Sequence, residues 1–170
     1  MRSYLKYKTI IISLYFFTLI DTVKSTTSDS EYIFESHLTS NIINFKIPDI
    51  MDYGTFNLSG SWTDNYGNFG SIKCVGENKL IKKQVEIYGV CEIRDEKKIK
   101  RWWSVERNKS ELDMGVGVIK QLKGENVWKI MDNKICKYAV KHTNDFSYMK
   151  AKCKISPKQK RALLSHFDNN

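Results

Sequence analysis

Several things are scarce in this chain. Its 170 residues contain only two prolines, Pro48 and Pro157, so nothing interrupts regular structure along the stretch between them. Histidine is equally rare: His37, His142 and His166 are scattered and share no metal-ligand spacing. No C-x-x-C pair occurs among the four cysteines, which excludes the common redox motif. No apolar run approaches the roughly 20 residues that a helix needs to cross a bilayer. A nucleophile beside a base, a carboxylate pair and a cluster of acids with histidine are all missing, so no catalytic residue, metal site or cofactor is implied. Asp64-Asn65-Tyr66-Gly67-Asn68 has closely spaced oxygen donors but lacks the Asp/Asn alternation and distal Glu of a calcium loop. It reads as a hairpin turn.

At the N-terminus, Arg2, Lys6 and Lys8 precede the apolar run Thr9–Ile20, and the polar stretch Asp21–Ser25 follows it. This is the layout of a secretory signal peptide over residues 1–25, with the mature chain beginning near Thr26. An exported chain with an even number of cysteines is expected to form disulfides in a periplasmic or secreted setting. The whole chain carries +9. Residues 1–25 hold four of its 28 basic and one of its 19 acidic groups, which leaves 24 against 18, or +6. A basic surface can attract a polyanion, although lysine is abundant throughout, as it is where codon bias favours it.

From residue 26 to 53 the pattern is weak, and it reads as an N-terminal extension packed onto the domain. From Gly54 onward, short alternating segments are separated by Gly, Asn, Asp and Lys clusters. They lie near 56–64, 70–77, 83–94, 98–107, 113–121, 126–131, 134–142 and 146–155. Eight such strands predict an all-β, up-and-down antiparallel barrel over 54–156, because closure removes exposed edges. A two-sheet sandwich is the alternative. Residues 157–170 fit a short basic helix across one barrel end.

The last two strands have the clearest pattern. Met149, Ala151, Cys153 and Ile155 share one face, while Lys150, Lys152 and Lys154 share the other. A turn at Thr143-Asn144-Asp145 sets Cys136 opposite Cys153, Tyr138 opposite Ala151 and Val140 opposite Met149. A turn near Lys82-Lys83 likewise sets Cys74 opposite Cys91. The expected disulfides are therefore Cys74–Cys91 and Cys136–Cys153. Trp102 and Trp103 must face opposite sides of their strand, one inward and one outward, and Trp128 is a further core candidate. Glycines at 115 and 117 mark a bend or a close backbone approach.

Gly60-Ser61-Trp62 is a G-x-W at the start of this meander, and there the chain resembles the calycin barrels, the lipocalins and avidins. Leu58–Gly67 is most similar to the avidin opening. The resemblance implies a barrel with Trp62 in its core near one end of the first strand. Biotin binding does not carry over: Asp64, Tyr66 and Asn68 stand where the avidin pattern has Asn, Leu and Ser. The Thr143-Asn144-Asp145 turn and a run of lysines replace the lipocalin T-D-Y and arginine features.

The function expected from these features is an exported, monomeric, non-enzymatic barrel that binds a small or extended ligand. Its mouth is expected near the Asp64–Gly70 turn, with Trp62, Asp64, Tyr66, Asn68 and Trp103 around it. The alternative is an interaction module, an inhibitor or envelope factor that binds an envelope protein. A wall of Lys137, Lys141, Lys150, Lys152 and Lys154 is a candidate polyanion patch, since like charges across strands are otherwise unfavourable.

Overall fold

The computed structural model describes residues 30–82, 84–110, 114–143 and 146–168, so the expected signal segment lies outside the described residues. Eight antiparallel strands form the fold: β1 (Ser30–Ile47), β2 (Met51–Asp64), β3 (Phe69–Ile81), β4 (Gln84–Asp95), β5 (Lys100–Ser110), β6 (Met114–Gly124), β7 (Ile135–His142) and β8 (Phe146–Ile155). Each pairs with the next in sequence, and β1 closes on β8. The expected barrel is therefore present, and the sandwich is not. A 3-10 helix, Asn126–Met131, sits between β6 and β7, and helix α1, Pro157–Asp168, ends the described chain.

One of the eight expected segments and the expected extension need correction. The stretch read as an extension supplies β1 and the beginning of β2. Its first half does alternate, with Tyr32, Phe34, Ser36 and Leu38 all buried, but the inward Ser36 breaks the apolar series. Its second half, from Asn41 to Lys46, is exposed, and exposure leaves no alternating signal. The segment at 126–131 is helical rather than a strand. Trp128 and Met131 are its buried residues, and a spacing of three puts both on one side of a 3-10 turn. Trp62 consequently lies on the second strand, not the first.

The disulfides are Cys74–Cys91 and Cys136–Cys153, with Cα separations of 4.0 and 4.5 Å. Cys74 stands directly across from Cys91. On the last hairpin, Tyr138 faces Ala151 and Val140 faces Met149. Trp103 is buried and Trp102 half-buried, as opposite faces of one strand require.

The wall is not of even height. β1 pairs with β8 only from Ser30 to Thr39, while its pairing with β2 continues to Ile47. The β5–β6 ladder similarly ends at Glu106–Val118, and β6 goes on pairing with β7 up to Met114. A tall lip, led by the β1–β2 hairpin, therefore rises above a lower side formed by β7 and β8.

Each disulfide closes a separation of 17 residues, so removing one is expected to lower stability by about 3 kcal/mol through denatured-chain entropy. Urea unfolding of the Cys136→Ala/Cys153→Ala protein measures this, and an unchanged midpoint would contradict it.

Candidate functional site: a half-hollow barrel

The two halves of the barrel differ because their inward positions carry different residues. At the end formed by the β2–β3 and β4–β5 turns, the inward side chains are large. Arg101, itself 1 % exposed, lies among five rings. Its guanidinium carbon is 3.8 Å from the centroid of Trp128, 4.7 Å from those of Trp62 and Trp103, 5.3 Å from Phe34 and 5.7 Å from Tyr32. Its Nη2 donates to the Tyr32 hydroxyl at 2.9 Å, whereas Nε and Nη1 have no conventional acceptor among the described residues. Ring faces take that role, and such contacts strengthen when water is excluded.

Below this cage, Asp95 joins three elements. Its carboxylate accepts from Trp128 Nε1 at 2.8 Å, from His166 Nε2 of α1 at 2.9 Å and from the Ile99 amide at 2.8 Å. Gln121 accepts from Trp103 Nε1 at 3.2 Å and donates to the Trp128 carbonyl at 2.6 Å. This end is filled and its polar groups are tied together. α1 lies across it, with Leu163 buried.

Toward the other end, Gly54, Gly76, Gly89 and Gly117 occupy inward positions. The Phe56 ring lies against Gly76 and Gly89, where any side chain would collide with it. The Tyr138 ring covers Gly117 in the same way. With these side chains lying back against the glycines, a cavity of about 540 Å³ remains, and Gly89 is in its lining. Its apolar wall includes Leu38, Phe56, Leu58, Val105, Val140 and Met149, together with the Cys74–Cys91 bridge. Arg107, Lys141 and His142 also line it, and among the described residues no Asp or Glu does. Burial pushes the Arg107 guanidinium pKa below its usual value, with the neighbouring Tyr138 phenol acting the opposite way. At the mouth, His142 Nδ1 and Ser147 Oγ are 2.6 Å apart.

None of the five residues expected to form a mouth lines this cavity. Trp62 and Trp103 belong to the Arg101 cage. Asp64 Oδ1 accepts from the amides of Tyr66 and Asn68 at 2.9 and 3.0 Å, and Asn68 Nδ2 donates to both carboxylate oxygens. Burial raises the Asp64 pKa, partly offset by the bonds from Asn68. Asn65 Oδ1 accepts from the Ile33 amide, and Tyr66 Oη donates to the Glu31 carbonyl. The Asp64–Gly70 turn is thus clasped to β1 at the filled end, and the barrel opens at the opposite end. Sequence reasoning missed Arg101 and Arg107. Counting inward positions by twos from Trp103 finds both.

In the lysine wall, Lys137, Lys150, Lys152 and Lys154 face outward, with Lys137 across from Lys152, and Lys141 also reaches the cavity rim. Among the described residues two of its members are paired: Lys150 with Glu35 at 2.7 Å and Lys152 with Glu31 at 3.1 Å. The β1 carboxylates therefore relieve part of the repulsion that the last hairpin alone would carry.

No protein-family model matches the chain, and no curated protein matches it in sequence. Two of the solved structures that share its fold are proteins of unknown function. One is a protein of unknown function from Clostridium acetobutylicum, 11 % identical, with a TM-score of 0.63 over 75 % of this chain and 97 % of that one. The other is a conserved protein of unknown function from Rhodopseudomonas palustris, 6 % identical, with a TM-score of 0.61 over 75 % and 99 %. At such identities the likeness shows the fold alone.

Burial pushes the Tyr138 phenol up to about 12, against a smaller lowering by Arg107. The folded barrel thus holds a proton that the unfolded chain begins to release near pH 10. The associated stability is complete below pH 10 and falls by about 1.4 kcal/mol per pH unit as pH rises through that window. Tyr138→Phe should remove one proton's share of this alkaline slope in denaturation curves taken between pH 9 and about 12; an unaltered slope would count against the assignment.

Proposed function

We propose that the protein is an exported, non-enzymatic binding barrel whose open half holds one small amphiphilic anion. The observation that carries this reading is the make-up of the cavity. Its volume of about 540 Å³ falls within the range of small-molecule sites, its wall is mainly apolar, and it is lined by Arg107, Lys141 and His142 with no carboxylate among the described residues. An apolar ligand body would displace water from Leu38, Leu58, Val105 and Met149, and an acidic head would lie toward Arg107 and the Lys141–His142 rim. Arginine suits that task because its planar donors match a carboxylate or sulfonate in pairs. The two disulfides fit the oxidising setting that export would provide. A purely structural interaction module has no need of the interior glycines that let Phe56 and Tyr138 lie back from this space.

Two fluorescent probes of similar size test the reading: anionic 8-anilinonaphthalene-1-sulfonate and neutral N-phenyl-1-naphthylamine. Both should bind with enhanced fluorescence, and Leu58→Trp or Val105→Trp, by filling the cavity, should abolish both signals. Arg107→Met should weaken the anionic probe by about tenfold or more, the scale of a charged hydrogen bond, and spare the neutral one. Absence of binding by either probe, or binding undiminished in the filled variants, would refute the proposal.

A further inference from the structure

We infer that the open end of the barrel docks on a lipid bilayer, with the tip of the β1–β2 hairpin as the inserted element. The inference deepens the reading of the cavity as an amphiphile site and rests on it, because it names where such a ligand would come from. The hairpin overhangs the barrel. From Ser40 to Ile47, eight residues of β1 have partners only on β2, an overhang of about 26 Å at the usual rise per residue.

β2 itself stays paired with β3 as far as Asp52, so this is the free-edged tip of a continuous sheet, and an exposed edge of that kind normally carries polar residues. This one does the reverse. Toward its base, the outward positions are Thr39, Asn41, Thr55 and Asn57, whereas nearer the tip they are Ile43, Phe45, Met51 and Tyr53. Ile43 is 65 % exposed, Phe45 55 % and Ile50, in the turn, 62 %. The Phe45 and Tyr53 rings lie 5.4 Å apart, so the apolar surface is continuous across both strands.

Other residues at the same end share this character. Met114, at the start of β6, is 51 % exposed, and Phe146, at the start of β8, is 60 % exposed. The exposed apolar groups are thus spread over three hairpins around one mouth, and Ile42 and Phe56 continue them into the cavity. This distribution selects the occupant. A second copy of the chain, adding its β1 edge to edge, would cover Ser40–Ile47 but leave Ile50, Met114 and Phe146 in water. A bilayer interface met by the tall lip accepts Ile43, Phe45 and Ile50 together, and apolar area is what drives such insertion. The net charge of +6 on residues 26–170 adds long-range attraction to anionic lipid.

The test places one environment-sensitive nitrobenzoxadiazole label at either end of the barrel, in the chain beginning at Thr26. All four native cysteines are in disulfides, so Ile43→Cys and Phe69→Cys each supply a single thiol under non-reducing conditions. With vesicles of mixed phosphatidylglycerol and phosphatidylcholine, the label at 43 should turn blue-shifted and several-fold brighter. The label at 69, by the β2–β3 turn of the filled end, should not respond. Adding Ile50→Asp, an exposed substitution with little effect on folding, should suppress the response at 43. A silent label at 43, or equal responses at both ends, would overturn the inference. So would a response at 43 without lipid accompanied by a doubled mass, which would identify edge-to-edge pairing instead. Neither Ile43 nor Ile50 lines the cavity, so probe binding in solution is read separately. A failure to dock with probe binding intact would sink the docking alone, and loss of probe binding would sink the cavity reading.

Discussion

The architecture depends on a buried cation held by aromatic rings. Removing a guanidinium from water is costly, and a single hydrogen bond to Tyr32 does not offset that cost. The faces of five rings do much of the rest. Arginine suits such a box better than lysine, since its charge is spread over a plane and is weakly hydrated. The rings come from β1, β2, β5 and the 3-10 helix, so satisfying one charge fixes four separate parts of the chain relative to each other. Asp95 then locks the 3-10 helix and α1 onto the same end.

With one end fixed in this way, the character of the other follows from residue size. Eight strands give an interior that side chains can just fill. Here tryptophans and Arg101 fill one half, and four inward glycines leave the other short of volume. Phe56 and Tyr138 recover part of the deficit by lying flat on those glycines, so they shape the cavity wall instead of closing it. The hollow is what remains with those rings lying back against the glycines.

Much of this was legible in the sequence. The alternation around Cys74, Cys91, Cys136 and Cys153 fixed strand register and both disulfides, because a one-residue slip would turn the cysteines outward. Trp62 could be read as core. β1 was obscured by the serine at an inward position and by a second half with no core to face. The end that opens was obscured for a different reason. Gly115 and Gly117 mark a bend or a close backbone approach in the sequence, and Gly117 is such an approach, since an added Cβ would meet the Glu106 carbonyl and the Tyr138 ring; which end this leaves open is not legible from the glycines alone. The polar Asp64–Gly70 turn looks like a rim from composition alone. Its carboxylate is occupied by its own amides, a closure visible only in three dimensions.

The β1–β8 ladder has a consequence for how the barrel is made. Its partners are separated by 125 residues at Ser30–Ile155, while every other ladder joins neighbours in sequence. Seven hairpin ladders can form locally as the chain emerges, but closure needs both ends of the domain at once. Loop-closure entropy makes such a long-range pairing a slow step. Until then β1 and β8 each have an open edge, and the cage around Arg101 lacks Tyr32 and Phe34. The domain therefore becomes one cooperative unit only when its last strand meets its first, and the hazard of wrong pairing is concentrated in that interval.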